Sequence, residues 1–217
     1  MSRTLVIGNK AYSSWSLRPW IAMKQIGLPF DEIVISMHMP GTKAEMLAHA
    51  PTGKVPVLKD NGVVVWETLA ILEYLNETYA NDTLWPKDRA ARAHARAIAN
   101  EMHAGFGALR NHCPMNVRRR LEPYALTPEV AEDVARIEAM WTEARQRYGQ
   151  GGPFLFGAFS NADAMFAPVV NRLHYYVIPV SSVVRAYMDA VLALPATKEW
   201  NAAAAKETWV IDDSERY

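Results

Sequence analysis

The chain has 217 residues, half of them hydrophobic and 21% charged; the length suits two small domains, and the composition supplies an apolar core without a disulfide or a metal. Lys plus Arg and Asp plus Glu balance at 23 each, which removes the electrostatic reason to expect nucleic acid or an anionic membrane as partner. A single cysteine, Cys113, excludes an internal disulfide, a paired-cysteine redox motif and a Cys-rich zinc site, and no stretch approaches the roughly 18 apolar residues of a membrane span, so the expected compartment is the cytoplasm and no metal is expected.

The first elements follow from hydrophobic spacing. Thr4–Gly8 is a short β-rich run. Ser16–Gly27 reads as a helix, with Pro19 in its tolerant early part and Gly27 as its stop. Phe30–Ser36 is a second strand, and Lys43–His49 a short helix or a turn. Val55–Lys59 and Val63–Trp66 form two short strands around Asp60-Asn61-Gly62, a hairpin turn signal. Glu67–Tyr79 is a helix with Leu69, Leu72, Leu75 and Tyr79 on one face.

Beyond this point no strand pattern appears. Arg89–Asn111, Pro128–Tyr148, Ser160–Leu173, Val183–Leu194 and a short piece from Thr197 are helical. Arg118, Arg119 and Arg120 read as a solvated helix face, and Cys113 as a buried, inert thiol. The expected fold is therefore a βαβαββα unit over residues 1–80, a connection over 81–88, and an all-α unit over 89–217.

Three features of the first unit bear on chemistry. In Lys54-Val55-Pro56-Val57-Leu58, a proline at a strand start is either a plain edge residue or a cis bond that turns the Val55 backbone toward an extended peptide ligand. Glu67-Thr68 opens a helix; it either caps that helix or holds a carboxylate at its free amides, with Glu67 facing the neighbouring ammonium. Tyr12-Ser13-Ser14-Trp15-Ser16 places hydroxyls between a strand end and a helix start, to cap the helix (most naturally through Ser16) or to hold an anion. No His or Asp lies close enough in sequence to make a hydrolase triad.

The order SSWSLRPWIAM, KVPVL and ETLAILEYL resembles the N-terminal domain of cytosolic glutathione transferases, with a thioredoxin-like fold. The nearest likeness is to serine-type classes, zeta above all, with a bacterial look; the zeta SSCS loop is similar to Ser13–Ser16, except that Trp15 stands where zeta enzymes have cysteine. Thr68 stands where the family has serine. Phe154-Leu155-Phe156-Gly157 and Ser160-Asn161-Ala162-Asp163 resemble the family's capping element, in which Ser160 and Asp163 play a structural part.

The resemblance implies a homodimer, glutathione as co-substrate, and a glutathione site made from Trp15, Lys43, Lys54, Val55, Pro56, Glu67 and Thr68. It also implies that Ser13, or Ser14 beside it, donates to the glutathione thiolate for attack on a small electrophile. The electrophile pocket is expected between the two units, near Tyr12, His103, Phe106, Arg110 and Met115. The competing readings are a zeta-like glutathione-dependent isomerase and a ligand-binding or interaction protein of the same fold without turnover.

Overall fold

The computed structural model describes residues 3–215. Strands β1 (Arg3–Gly8), β2 (Asp31–Ile35), β3 (Val57–Asp60) and β4 (Val63–Trp66) form one sheet in the order β2-β1-β3-β4. β1 runs parallel to β2 and antiparallel to β3, and β3 pairs antiparallel with β4. Successive side chains of β1 serve opposite faces. Leu5 and Ile7 join the main core, under α1 (Ser14–Gln25) and α3 (Thr68–Thr78). Val6 joins a smaller cluster with Met46 of α2 (Thr42–Leu47). Asn61 and Gly62 between β3 and β4 both have positive φ, at 48° and 92°, as a two-residue primed hairpin turn requires.

The rest is helical: α4 (Arg89–Ala104), α5 (Gly107–His112), α6 (Pro128–Tyr148), α7 (Asn161–Tyr175), α8 (Ser182–Ala193), α9 (Pro195–Ala204) and α10 (Asp212–Glu215). The fold is thus a βαβαββα unit followed by an all-α unit, as the spacing predicts, and the first unit is thioredoxin-like, as the resemblance implies. Helix α7 is the axis of the second unit, with Asn161–Leu173 buried throughout. The Asp163 carboxylate accepts the Ser160 N–H and hydroxyl, both at 2.8 Å, and the Leu155 N–H at 3.1 Å, closing the capping box at the start of α7. The two units share one core: α1 packs on α7, the Asn161 N–H donates to Leu84 O at 2.7 Å, and Asn161 Nδ2 donates to Leu72 O.

Three expectations change. The first helix begins at Ser14, not Ser16, and its N-cap is Ser13, whose Oγ accepts the Ser16 N–H. The stretch Arg89–Asn111 is two helices: Gly105 is extended and Phe106 left-handed (φ 61°), and Arg110 folds back to donate to the Met102 and Gly105 carbonyls at the end of α4. Glycine there weakens the helix, and the arginine satisfies the carbonyls that the break exposes. Arg118–Arg120 lie outside any helix. Arg118 donates to Glu207 O and Trp209 O, and Arg119 to Tyr175 O, so these two charges fasten the chain, while Arg120 is exposed as expected.

Candidate functional site

A cavity of about 300 Å³ lies where the start of α1, the loop before β3, the start of α3 and the end of α4 meet. It is lined by Trp15, Thr52, Lys54, Val55, Pro56, Glu67, Thr68 and His103. Its size falls at the small end of small-molecule sites.

Each wall has a local cause. The Val55–Pro56 bond is cis, and both residues face the cavity. Lys43 Nζ donates to Thr52 O at 3.0 Å and Gly53 O at 3.1 Å, so Lys43 secures the loop that carries Thr52 and Lys54 and is not itself among the lining residues. Glu67 is the N-cap of α3 with φ 67° and ψ 130°, a conformation that a non-glycine residue holds only at a cost. Its side chain is exposed and makes no cap bond, so the carboxylate is not used to close the helix.

Pro19 explains how α3 is held against α1. Lying inside α1, it has no N–H for the carbonyl four residues earlier, that of Trp15. Thr68 Oγ1 donates to this free carbonyl at 3.2 Å. The N-terminus of α3, with its unpaired amides and positive dipole end, is thereby fixed beside Trp15. The corner combines helix amides, an exposed carboxylate and the Lys54 ammonium, a set of charges and donors suited to a zwitterionic, multiply charged peptide such as glutathione.

The serines face inward. Ser13 is 5% exposed; its hydroxyl donates to Ser16 Oγ at 2.7 Å, and Ser16 Oγ accepts the Gly8 N–H at 3.1 Å. Ser14 is also buried, at 6% exposure, and neither serine is among the residues lining the cavity. Of the residues predicted for an electrophile pocket, only His103 lines the cavity. Burial, together with Arg18 and Arg110, holds its imidazole below the usual histidine range, against an opposing pull from Glu67. Tyr12, Phe106 and Met115 lie in the hydrophobic core; the Tyr12 hydroxyl donates to Glu215 Oε1 at 2.5 Å and accepts from Arg118. Arg110 lies behind Trp15, its guanidinium 4.8 Å from the ring centroid. Cys113 is fully buried, its thiol pushed up to about 12 by desolvation.

Two participants were not singled out in the sequence. Thr52 lines the cavity, and only its place just before Lys54-Val55-Pro56 pointed to it. Arg18, at 0% exposure, signals itself as an arginine within the apolar stripe Leu17, Trp20, Ile21. Among the described residues no group of three His, Cys, Asp or Glu side chains could hold a metal ion, and no helix is long and apolar enough to cross a membrane.

The N-terminal domain family of glutathione S-transferases matches residues 12–78, and the corresponding C-terminal domain family matches residues 127–200. The chain belongs to the glutathione S-transferase superfamily. A probable maleylacetoacetate isomerase of Caenorhabditis elegans is 27% identical over 81% of this chain and 88% of its own length. The rat maleylacetoacetate isomerase is 34% identical over 45% of this chain and 46% of its own length. A Burkholderia glutathione transferase homologue with bound glutathione shares the fold at 22% identity and a TM-score of 0.69, over 95% of this chain and 100% of that one. A diazinon-metabolizing glutathione S-transferase of the silkworm Bombyx mori shares it at 18% identity and a TM-score of 0.73, over 95% and 98%.

Proposed function

We propose that the protein is a glutathione transferase, with residues 1–80 as the glutathione-binding domain, 81–88 as the connection, and 89–217 as the helical domain completing the electrophile side. The observation that carries this reading is the cavity in which the cis Val55–Pro56 segment, the α3 N-terminus with Glu67-Thr68, and the start of α1 converge. The γ-glutamyl carboxylate of glutathione meets the α3 amides, that of Thr68 among them, its ammonium meets Glu67, its cysteinyl backbone pairs along Val55, and Lys54 meets the remaining carboxylate. The described geometry supports this placement through the cavity's lining alone.

The chemistry required is modest. A free thiol near pKa 8.5 is only a few per cent thiolate at neutral pH, and lowering the pKa by about two units takes about 2.7 kcal/mol. A hydroxyl hydrogen bond to a charged sulfur supplies roughly 1.5 to 3 kcal/mol. The Ser13 hydroxyl is committed to Ser16, which leaves Ser14, next to the cavity-lining Trp15, as the donor in this reading. The thiolate then attacks an electrophilic carbon, with the leaving group or the proton balance set by that substrate.

The experiment is turnover of glutathione with a chlorodinitrobenzene. Ser14→Ala is expected to lower kcat/KM about 10- to 100-fold, while Ser13→Ala acts mainly on stability, by about 1 kcal/mol through the lost cap. Full turnover in both variants would remove the serine mechanism. Glutathione-dependent isomerisation is a second reading, favoured by the maleylacetoacetate isomerase relatives and opposed by Trp15 in the place of the zeta cysteine. A binding protein without turnover is the third, favoured by the inward Ser13 hydroxyl. A cytoplasmic homodimer fits the exposed apolar edge strand β4, where Val63, Val64 and Trp66 are 46%, 41% and 39% exposed.

A further inference from the structure

Two guanidiniums, Arg18 and Arg172, are buried without a carboxylate partner, and a third, Arg110, is half-buried within electrostatic reach of both. Arg18, on α1, is wholly buried; its Nε donates to Met165 O at 2.9 Å, and its Nη1 and Nη2 take no partner among the described residues. Arg110, on α5, spends its donors on backbone carbonyls at the end of α4. Arg172, on α7, is 5% exposed, donates through Nε to Cys113 O at 2.9 Å, and leaves Nη1 without a partner. Among the described residues none of the three forms an ion pair with a carboxylate. Isolated buried charges are costly, which makes two of them with a half-buried third close by an unusual structural choice.

Two of these charges lie directly behind the cavity wall. The Arg18 and Arg110 guanidinium carbons lie 4.3 Å and 4.8 Å from the Trp15 ring centroid. Trp15 lines the cavity and meets the His103 ring edge-on at 5.1 Å. We propose that Arg18 and Arg110 act as positioning charges that hold the bound glutathione sulfur as thiolate, sharing the task with the serine hydroxyl. This rests on the glutathione reading of the site.

The physics is one field acting on two groups. A cation favours the deprotonated form of any neighbour: neutral imidazole for histidine, thiolate for a thiol. His103 already responds in that sense, with burial the larger cause and both arginines adding to it. The other charged groups near His103 and the two arginines are Glu67 at the N-cap of α3 and Lys54 before β3 at the cavity, and Asp133 of α6 and Arg172 near Arg110. Glu67 opposes the arginines, and Asp133 acts on Arg110 while its Oδ2 accepts the Leu109 N–H at 2.9 Å. In the step itself the S–H bond breaks, the electron pair stays on sulfur and the proton leaves to solvent.

The test uses Arg110→Gln and Arg110→Lys in the full chain. The His103 pKa is followed by NMR titration without glutathione, and the bound thiol by ultraviolet thiolate absorbance across pH. Arg110→Gln is expected to raise both pKa values by about one unit, and Arg110→Lys to leave both near wild type. A thiol pKa unchanged in Arg110→Gln, or an equal rise in Arg110→Lys, overturns the proposal, the second because the geometry of the fork and not the charge would then matter. No thiolate signal in wild type beyond that of free glutathione at any pH overturns the glutathione reading with it, and the wild-type measurement separates that failure from the others.

Discussion

Glu67 combines an uncommon backbone with a free carboxylate. Its φ of 67° with ψ 130° costs of order 1 to 3 kcal/mol, yet its side chain closes no cap. Strain kept at a cavity edge without a structural return points to positioning of the carboxylate. Glu67→Gly is therefore expected to raise unfolding stability by about 1 kcal/mol, the relieved strain less the extra entropy of a glycine, while weakening glutathione binding. Denaturant midpoints with parallel binding curves check it; a lower midpoint would show that the conformation is not strained. The sequence named Glu67 and Thr68 by their place at a helix start, but a φ of this kind leaves no residue signature unless the residue is glycine. The Thr68-to-Trp15 tie was equally hidden: Pro19 announced a missing N–H, but the carbonyl left over and the hydroxyl that takes it come together only in three dimensions.

The helices show which local signals suffice. Helix α6 runs from Pro128 to Tyr148 as its spacing predicts, with Thr127 as cap and a glycine after it. The 89–112 segment deceived because Met102, Phe106, Leu109 and Cys113 keep a helical period across a break, all four being buried. Burial was read correctly; continuity was not, since Gly105 and the Arg110 back-bonding decide it. The break ends α4 beside His103, which is how a residue of the second unit reaches the cavity. The α7 cap carries a pH dependence of its own. Desolvation raises the Asp163 carboxyl to about 6, against the opposing bonds from Leu155 and Ser160. The folded state then binds the proton more tightly than the unfolded chain, so the contribution is fully present below about pH 4 and lost as pH rises through about 6. Relative to Asp163→Asn, wild-type stability is expected to fall by about 3 kcal/mol across that window and to stay level above it, as pH-dependent denaturation would show. Asp163→Ala is expected to harm folding more than ligand affinity.

Over the whole molecule, the chain after α9 returns to the loop that precedes α1. The Glu207 carboxylate accepts the Lys10 N–H at 2.7 Å and the Ala11 N–H at 2.9 Å, and Trp200 Nε1 donates to Lys10 O at 2.9 Å. Arg118 joins this clamp through Glu207 O, Tyr12 and Glu215. Glu207→Ala is expected to lower stability by about 2 kcal/mol, because it leaves two backbone amides without their charged acceptor; a loss within a few tenths, measured by urea unfolding, would mean that water replaces it. Contacts spanning nearly the full chain length have no local signature, which is why Arg118 and Arg119 read as a solvated face and Tyr12 as a pocket residue. The division into a mixed and a helical unit was legible because periodicity changes near residue 80.

The central claim is that the Glu67-Thr68 corner binds glutathione. Calorimetric titration of glutathione into wild type and Glu67→Ala tests it most directly, since alanine keeps the strained backbone and removes only the carboxylate. Micromolar to low-millimolar binding in wild type, lost in a folded Glu67→Ala, is the result predicted. No binding by folded wild type, or equal binding by both, would contradict it.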